Sequence, residues 1–328
     1  MSMQHLVFVA ILLATIPHSL RAAVIDGYAS MGASESAGTT YTGSWVPYLA
    51  NQRGFNFGGP TMPYNVAIGG AKTDTLLTQG QHTSVQALVQ NGDVDLAYLL
   101  IGGNDFFAVG ASIADGSLSG PALTSWAQGV VTNINTAVDT VLSANPVGMV
   151  VAGLPDVLLT PAGRTTFDTP IEIQRGTEAV DLVNSLLMAE VLARGLVFVD
   201  MSSAMRDINQ APLVVGGVAI DVVTASSDPT HFFQDGRHPA AVGNGLVANL
   251  FLEAANIGYG TNFAILTDLE ILTTAGLAGS YTGETSSLPY ENYIITAVPE
   301  PSTLVLSGIA ALGLLAARRR ARRATACR

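Results

Sequence analysis

Three serines stand close together in the stretch SMGASESAG, residues 30–38. A serine hydroxyl attacks a carbonyl only when a base accepts its proton and hydrogen-bond donors stabilise the oxyanion that forms. Serine, glycine and alanine are also common in ordinary turns, for reasons of backbone geometry. The stretch alone is therefore compatible with a nucleophile or with a simple turn, and the rest of the chain must decide.

Histidine is the usual base near neutral pH, and three of the five histidines lie in the body of the chain. His238 follows Asp235 by three residues on a loop that contains glycine. This one loop could hold both a base and the carboxylate that orients it. We predict no comparable acidic partner for His82 or His231. An Asp and a His at this spacing are also frequent in solvated loops, so the pair needs further support.

The elements that must position these residues alternate between strands and helices. Continuous apolar runs predict buried strands over 22–29, 95–103, 147–155 and 195–202. Helical periodicity predicts helices over 123–145, 172–195 and 239–256, with a short one over 267–279. This alternation predicts a three-layer α/β/α sandwich with a mainly parallel central sheet. Residues 258–297 form either the closing edge of this domain or a linker.

Ligand-binding groups in such sheets gather at the carboxyl ends of the strands. Four polar segments occupy such positions or enter a helix, and they are GASESAG (32–38), YNVAIGGAKTDT (64–75), IGGNDFF (101–107) and QDGRHPAAVGNG (234–245).

Together, in this order, the four segments resemble the sequence blocks of the GDSL/SGNH hydrolase family, over about residues 24–257. The resemblance implies a flavodoxin-like fold and a Ser-His-Asp triad of Ser34, His238 and Asp235. It also implies an oxyanion hole formed by the Ser34 N–H, the Gly70 N–H and the Asn104 amide. A glycine at position 70 would let the backbone approach the substrate closely. No cofactor and no metal are expected.

The sequence departs from the family pattern at Ala33, where the family usually has Asp before the nucleophile. In the family that Asp is neither the base nor its orienter, so the triad remains, but the rigidity of the nucleophile turn is in question. We interpret Asp105 as a carboxylate that stabilises a turn. We interpret Arg237 as a solvated or packing residue, with substrate contact as the alternative. The segment GLPDVLLTP (153–161) is similar to one found in many esterase members.

Composition excludes several classes of partner. The chain has 328 residues and a formal net charge of −11, and six of its fourteen basic residues lie at or after Arg318. Residues 24–301 hold seven basic and all 25 acidic residues, a formal charge of −18, which disfavours nucleic acid. The only cysteine, Cys327, lies behind the C-terminal arginines. The body can therefore contain neither a disulfide nor a catalytic thiol.

Both ends of the chain have features of targeting segments. An apolar run over 6–16 followed by small residues predicts a signal peptide over 1–22. At the other end, Pro-Glu-Pro at 299–301, an apolar span over 302–317 and an arginine cluster resemble the PEP-CTERM sorting signal. The resemblance implies processing by an exosortase-type enzyme. We expect an exported protein whose tail crosses the inner membrane, with its arginines cytoplasmic, before processing.

The sequence thus predicts five regions, which are a signal peptide (1–22), a hydrolase domain (23–282), a linker (283–298), the sorting and transmembrane segment (299–323) and a tail (324–328). We expect an exported serine hydrolase of carboxylic esters, located in the periplasm, at the cell surface or outside the cell. The substrate could be a lipid, a small ester or an acylated glycan. The alternatives are an exopolysaccharide O-deacetylase using the same site and a non-catalytic surface or matrix protein on the same fold.

Overall fold

The computed structural model describes residues 25–297, apart from residues 285 and 287. Its central sheet has five strands in the order β1-β2-β3-β4-β8, of which the first four are parallel and β8 is antiparallel to β4. Their bounds are β1 Tyr28–Gly32, β2 Leu96–Leu100, β3 Gly148–Ala152, β4 Val197–Val199 and β8 Ile294–Thr296. The predicted α/β sandwich with a mainly parallel central sheet is confirmed.

Eleven helices are present among the described residues. In chain order they are α1 Ser34–Ala37, α2 Val46–Arg53, α3 Thr73–Thr78, α4 Gln81–Asn91, α5 Gly103–Ala114, α6 Gly120–Leu142, α7 Pro161–Thr166, α8 Pro170–Ala193, α9 Met201–Gln210, α10 Ala241–Tyr259 and α11 Asp268–Thr274. The three long helices predicted from periodicity correspond to α6, α8 and α10, with ends displaced by two or three residues. Thr267 caps α11 by accepting the Glu270 N–H, as its position before the helix suggests.

The two faces of the sheet carry separate hydrophobic clusters. The back face packs on α4, α6 and α8, and the front face packs on α2, α9 and α10. Within β2, Leu96 and Tyr98 point to the front cluster and Leu99 points to the back cluster. A strand covered on both faces needs apolar side chains at every position, which is why the parallel strands are recognisable as continuous apolar runs.

The first strand begins later than its apolar run predicts. β1 spans Tyr28–Gly32, whereas the sequence favours a strand over 22–29, part of which lies outside the described residues. The backbone N–H groups of Asp26 and Gly27 are bound by the Asp95 carboxylate and not by a strand ladder. The small residues at the end of β1 lower its hydropathy, although all five are buried.

An extended segment over 64–68 runs along the free edge of β1. The Ser30 N–H donates to the Tyr64 carbonyl, and the Val66 N–H donates to the Ser30 carbonyl, at 3.1 and 2.8 Å. The chain thus leaves β1, passes α2 on the front face, adds this edge segment and then returns over the back face through α4 to β2. This reversal beside the first strand is typical of the flavodoxin-like arrangement that the sequence predicts.

A second sheet of three strands was not predicted. β5 (Leu213–Val215) and β6 (Val218–Ala225) form an antiparallel hairpin, and β7 (His231–Phe233) pairs with β6 in parallel. Gly216 and Gly217 form the hairpin turn with φ values of +56° and +85°, a conformation that favours glycine. β7 leads directly into the loop that carries Asp235 and His238, so this small sheet supports the candidate base.

The segment that follows α11 returns to the central sheet. Tyr290 and Tyr293 are buried in the front cluster, and β8 pairs with β4 through Ile294 and Thr296. Of the two alternatives for 258–297, the structure therefore has the closing edge over 290–296. This stretch lies within the predicted linker, 283–298.

No helix between residues 25 and 297 is long and apolar enough to cross a membrane. The apolar segments over 6–16 and 302–317, on which the predictions of a signal peptide and a transmembrane span depend, lie outside the described residues.

Candidate active site

Ser34 stands directly behind the end of β1, as the first residue of the short helix α1. The turn before it requires glycine, because Gly32 has φ +145° and a Cβ there would lie 2.1 Å from the Leu100 carbonyl oxygen. The sharp exit from the strand leaves Ser34 partly exposed at the carboxyl edge of the sheet. This is the edge at which α/β proteins usually place their ligands.

Hydrogen bonds from neighbouring elements hold this turn. The Gly32 N–H donates to the Gln81 side-chain carbonyl at 2.8 Å, and the Ala33 N–H donates to the Leu100 carbonyl at 3.3 Å. Ala33 itself is 2% exposed and packs in the back cluster. The missing carboxylate at position 33 thus leaves a turn that is still fixed by backbone and amide contacts.

The other two serines of the stretch are in different environments. Ser30 is fully buried in β1, and its hydroxyl has no hydrogen-bond partner among the described residues. Ser36 is also buried, and its hydroxyl accepts the Trp45 indole N–H at 3.1 Å. Neither hydroxyl is accessible to a substrate, so only Ser34 meets the geometric requirement for a nucleophile.

His238 and Asp235 lie on a tight loop between β7 and α10. The loop is closed by the Gln234 N–H, which donates to the His238 carbonyl at 3.0 Å. One oxygen of Asp235 accepts the N–H groups of Arg237 and His238, both at 2.8 Å. Because the carboxylate binds its own loop in this way, its second oxygen is fixed in position toward the His238 ring.

The three side chains form a continuous chain of hydrogen bonds. His238 Nδ1 lies 2.8 Å from Asp235 Oδ2, and His238 Nε2 lies 2.8 Å from Ser34 Oγ. An ionised carboxylate can only accept, so the Nδ1 position carries the proton and Nε2 is left to accept from the serine hydroxyl. Residues 204 positions apart in the sequence thus meet in the order acid, base and hydroxyl.

The Asp235 carboxylate is held in its ionised form although it is partly covered. Burial alone would raise its pKa, but hydrogen bonds from the backbone and ring of His238 and from the Arg237 N–H outweigh this effect and lower the pKa. At neutral pH the group is therefore a negative charge beside the imidazole, where it would stabilise an imidazolium.

The predicted oxyanion donors lie on two loops that are tied together. The Asn104 amide donates to the Ala71 carbonyl at 3.0 Å, directly behind Gly70. Gly70 has φ +78° and is exposed, with open space where a side chain would stand. Within the part of the chain that the structure describes, the N–H groups of Ser34 and Gly70 donate to no other group. Free donors of this kind are what an oxyanion requires.

Asp105 fastens the same two loops and is not part of the triad. Its carboxylate accepts the Thr73 N–H at 2.9 Å and the Thr73 hydroxyl at 2.7 Å. Burial raises the pKa of this carboxyl, and the two bonds from Thr73 oppose that effect. The interpretation of Asp105 as a structural carboxylate therefore agrees with its contacts.

Two charged residues beside the triad were not predicted to matter. Glu35 Oε2 lies 3.5 Å from Ser34 Oγ, and the Arg237 guanidinium stands 4.2 Å from the centre of the Phe107 ring. Both side chains line the pockets next to the site. Each is a direct neighbour in sequence of a predicted triad residue, and this adjacency was the only signal available.

The remaining histidines of the described chain lie elsewhere. Burial lowers the pKa of His82, and its Nδ1 has no partner among the described residues. His231 Nε2 lies 3.5 Å from Asp221 Oδ2, and its backbone N–H donates to the Asp228 carbonyl. The prediction that His231 has no comparable local partner is wrong, because Asp228 precedes it at the same spacing as Asp235 precedes His238. Asp221 is ten residues away along the chain, which is why a search for local pairs misses it.

The chain was compared with known proteins after this geometry was established. The sequence pattern of the GDSL-like lipase/acylhydrolase family matches residues 27–244, more than half of the chain. The PEP-CTERM protein-sorting motif matches residues 297–320. No curated protein matches the chain.

Several solved structures are similar at low sequence identity. An extracellular lipase from Streptomyces rimosus gives a TM-score of 0.44 at 19% identity, over 67% of this chain and 94% of its own. A lipase from a goat rumen metagenome gives 0.49 at 12% identity, over 70% and 97%. A variant of an acetyl xylan esterase from Geobacillus stearothermophilus gives 0.43 at 14% identity, over 73% and 98%. At these TM-scores the likeness carries no argument about the substrate.

The match to the family pattern covers both the nucleophile turn and the loop that carries the histidine. The chain belongs to the GDSL-like lipase/acylhydrolase family, carries a PEP-CTERM sorting motif and is a hydrolase acting on ester bonds.

Proposed function

We propose that the protein is an exported serine hydrolase that cleaves carboxylic esters through the triad Ser34, His238 and Asp235, without a cofactor. The observation that carries the proposal is the 2.8 Å contact between His238 Nε2 and Ser34 Oγ, together with the 2.8 Å contact between His238 Nδ1 and Asp235. A base within hydrogen-bond reach of a hydroxyl, and itself oriented by a carboxylate, is the arrangement that activates serine.

In the first half of the reaction, Ser34 Oγ attacks the carbonyl carbon of the ester while His238 Nε2 accepts its proton. The carbonyl oxygen becomes an oxyanion that the Ser34 and Gly70 N–H groups and the Asn104 amide stabilise. The C–O bond to the alcohol then breaks, and the imidazolium returns its proton to the departing alkoxide. The products are a free alcohol and an acyl group on Ser34.

In the second half, a water molecule takes the place of the alcohol. His238 accepts a proton from the water as its oxygen attacks the acyl carbon, and the second tetrahedral intermediate uses the same donors. Ser34 Oγ leaves with the proton from the imidazolium, and a carboxylic acid is released. Asp235 keeps its charge throughout, orienting the ring and stabilising each imidazolium.

Export is supported by the sorting motif over 297–320. We propose that the signal peptide covers 1–22, that an exosortase-type enzyme processes the tail, and that residues 318–323 stay cytoplasmic until then. The hydrolase domain would extend to 296, because β8 completes the central sheet. The exported body would act on esters in the periplasm, at the cell surface or outside the cell.

The test is hydrolysis of p-nitrophenyl butyrate by the wild-type protein, Ser34→Ala and Ser30→Ala. Ser34→Ala should reduce kcat by at least about a thousandfold, because the acyl-enzyme cannot form. Ser30→Ala is the matched control, since it removes a buried hydroxyl without a partner and should leave both folding and activity intact. Equal activity of Ser34→Ala and the wild type would refute the triad, and an inactive wild type would favour a non-catalytic surface protein.

A further inference from the structure

A pocket that is partly open to solvent lies beside the candidate triad, within the front cluster. Ser34 and His238 do not line it, but their chain neighbours Glu35, Arg237 and Pro239 do. The pocket thus adjoins the Ser34–His238 contact and lies between α9 and α10.

The inner part of the pocket is almost entirely apolar. Its walls come mainly from α9, α10, β7 and the segment before β8, and they include Ala204, Ile208, Phe232, Leu250, Leu288 and Tyr290.

The polar atoms that line the inner pocket are already engaged. The Asn244 amide donates to the Pro239 carbonyl at 3.0 Å and also binds the Tyr41 and Thr42 carbonyls. The hydroxyl of Tyr293 donates to Asp207, and that of Tyr290 accepts from Asn249. A sugar placed here would lose hydrogen bonds to water without replacing them, which is costly. The pocket therefore fits a hydrocarbon and not a glycan.

Six of the twenty residues that line the pocket lie beyond the part of the chain that matches the family pattern, which ends at 244. Leu288, Tyr290 and Tyr293 belong to the segment that joins α11 to β8 and immediately precedes the sorting motif at 297. Tyr290 and Tyr293 are 7% and 3% exposed, so this segment is part of the domain core. Part of the pocket wall is thus built by a segment outside the family pattern.

We infer that this pocket holds the acyl chain of the ester substrate, and that residues 288–293 help to set the chain length that it accepts. The inference rests on the proposed function, because the chain must be attached to the carbonyl that Ser34 attacks. An acetyl group would leave the apolar interior unfilled, whereas each methylene buried there should raise kcat/KM roughly fourfold, equivalent to about 0.8 kcal/mol. The substrate class is therefore an ester of a medium or long aliphatic acid.

The first experiment measures kcat/KM of the full chain for p-nitrophenyl acetate, butyrate, octanoate and decanoate. We expect a rise of roughly fourfold per methylene until the pocket is full. Hydrolysis of acetate with no rise toward octanoate would overturn the inference and leave the proposed function standing. Hydrolysis of no ester, with no fluorophosphonate adduct, would overturn both.

The second experiment fills the pocket. Ala204→Phe places a ring in the wall formed by α9 and should lower the decanoate-to-acetate ratio of kcat/KM at least tenfold. The matched control is Ala189→Phe, an exposed alanine of α8 on the back face, which should leave the ratio unchanged. An unchanged ratio in a folded Ala204→Phe protein, judged by its thermal transition, would overturn the inference.

The third experiment tests the C-terminal wall and does not depend on Ala204→Phe being folded. Leu288→Ala removes apolar contact at the inner end and should lower the same ratio about fivefold. Leu269→Ala is its control, because Leu269 is 42% exposed on α11 and does not line the pocket. Equal ratios in the two leucine variants would refute the role of residues 288–293.

Discussion

Between residues 25 and 297 the structure places two Asp–His pairs only a few residues apart, and only one of them contacts a hydroxyl group. His238 is bound by Asp235 at 2.8 Å through Nδ1 and reaches Ser34 at 2.8 Å through Nε2. His231 reaches Asp221 at 3.5 Å through Nε2, and its Nδ1 is buried without a partner among the described residues. The two rings thus differ at the nitrogen that faces away from the carboxylate. In His238 it contacts a hydroxyl, and in His231 it contacts no hydrogen-bonding group among the described residues.

The carboxylates of the two pairs also differ in the groups that donate hydrogen bonds to them. Asp235 binds the N–H groups of its own loop with one oxygen and keeps the other for the ring. Asp221 accepts hydrogen bonds from Thr224 and from the Val223 N–H, which hold the end of β6. A base therefore needs a hydroxyl on one side and a dedicated carboxylate on the other, and proximity of Asp to His is not sufficient.

Replacing each histidine in turn with alanine should give the largest difference in kcat between the two pairs. His238→Ala should lower kcat for p-nitrophenyl butyrate at least about a thousandfold, because the base is lost. His231→Ala should keep kcat within about threefold of the wild type, since no hydroxyl of the site contacts this ring. Steady-state kinetics of both purified variants make the comparison, and similar losses in the two would remove the distinction between the pairs.

Replacing the two carboxylates should lower kcat in the same order, but the difference between the two variants should be smaller. Asp235→Asn should lower kcat by about a hundredfold to ten-thousandfold, because the amide can present a donor to the ring and disturb its tautomer. Asp221→Asn should leave kcat within about threefold. Both variants can be measured on the same ester, and a large kcat effect at Asp221 would contradict the assignment.

A third substitution tests whether Ser34, which contacts the first pair, also needs a carboxylate at position 33. Ala33→Asp should lower the free energy of unfolding by about 1–3 kcal/mol, because position 33 is 2% exposed and a charge there loses its hydration. We expect kcat to change less than about threefold, since Gln81 and Leu100 already bind this turn. Denaturant unfolding and steady-state kinetics on one preparation of the variant measure both quantities. A large gain in kcat would show that Ala33 limits the rate.

The smallest effect concerns acid stability. Hydrogen bonds from Thr224, with smaller contributions from Val223 and His231, lower the pKa of Asp221 to about 2. A carboxyl whose pKa is lower in the folded state stabilises the protein above its unfolded pKa and loses this effect as pH falls toward 2. Asp221→Asn should therefore reduce stability at pH 6, and this reduction should become smaller as pH falls through 2. The difference should stay below about 1 kcal/mol, because the carboxylate is 39% exposed.

Much of this arrangement could be predicted from local sequence patterns. The apolar runs located β2, β3 and β4, because strands buried on both faces have few polar residues. Asp235 and His238 were found as a pair because a loop of four residues contains both. Ser34 was chosen among three serines only through the family pattern, since burial of Ser30 and Ser36 depends on tertiary packing.

The features that were missed depend on contacts between distant residues. The hairpin of β5 and β6 has a visible Gly-Gly signal between apolar runs, but no strand was predicted there. The pairing of His231 with Asp221 and the burial of Tyr290 and Tyr293 have no local signal. The pocket beside the triad combines residues from six separate parts of the chain, so sequence periodicity could not reveal it.

The most direct test of the central claim is covalent labelling with an alkyl fluorophosphonate, followed by peptide mass mapping. An activated serine displaces fluoride from the reagent and keeps the phosphonyl group, so the label marks the nucleophile itself. The account predicts one adduct, on Ser34, in the wild type and in His231→Ala, and none in His238→Ala. An adduct on another residue, or equal labelling of Ser34 when His238 is absent, would contradict it.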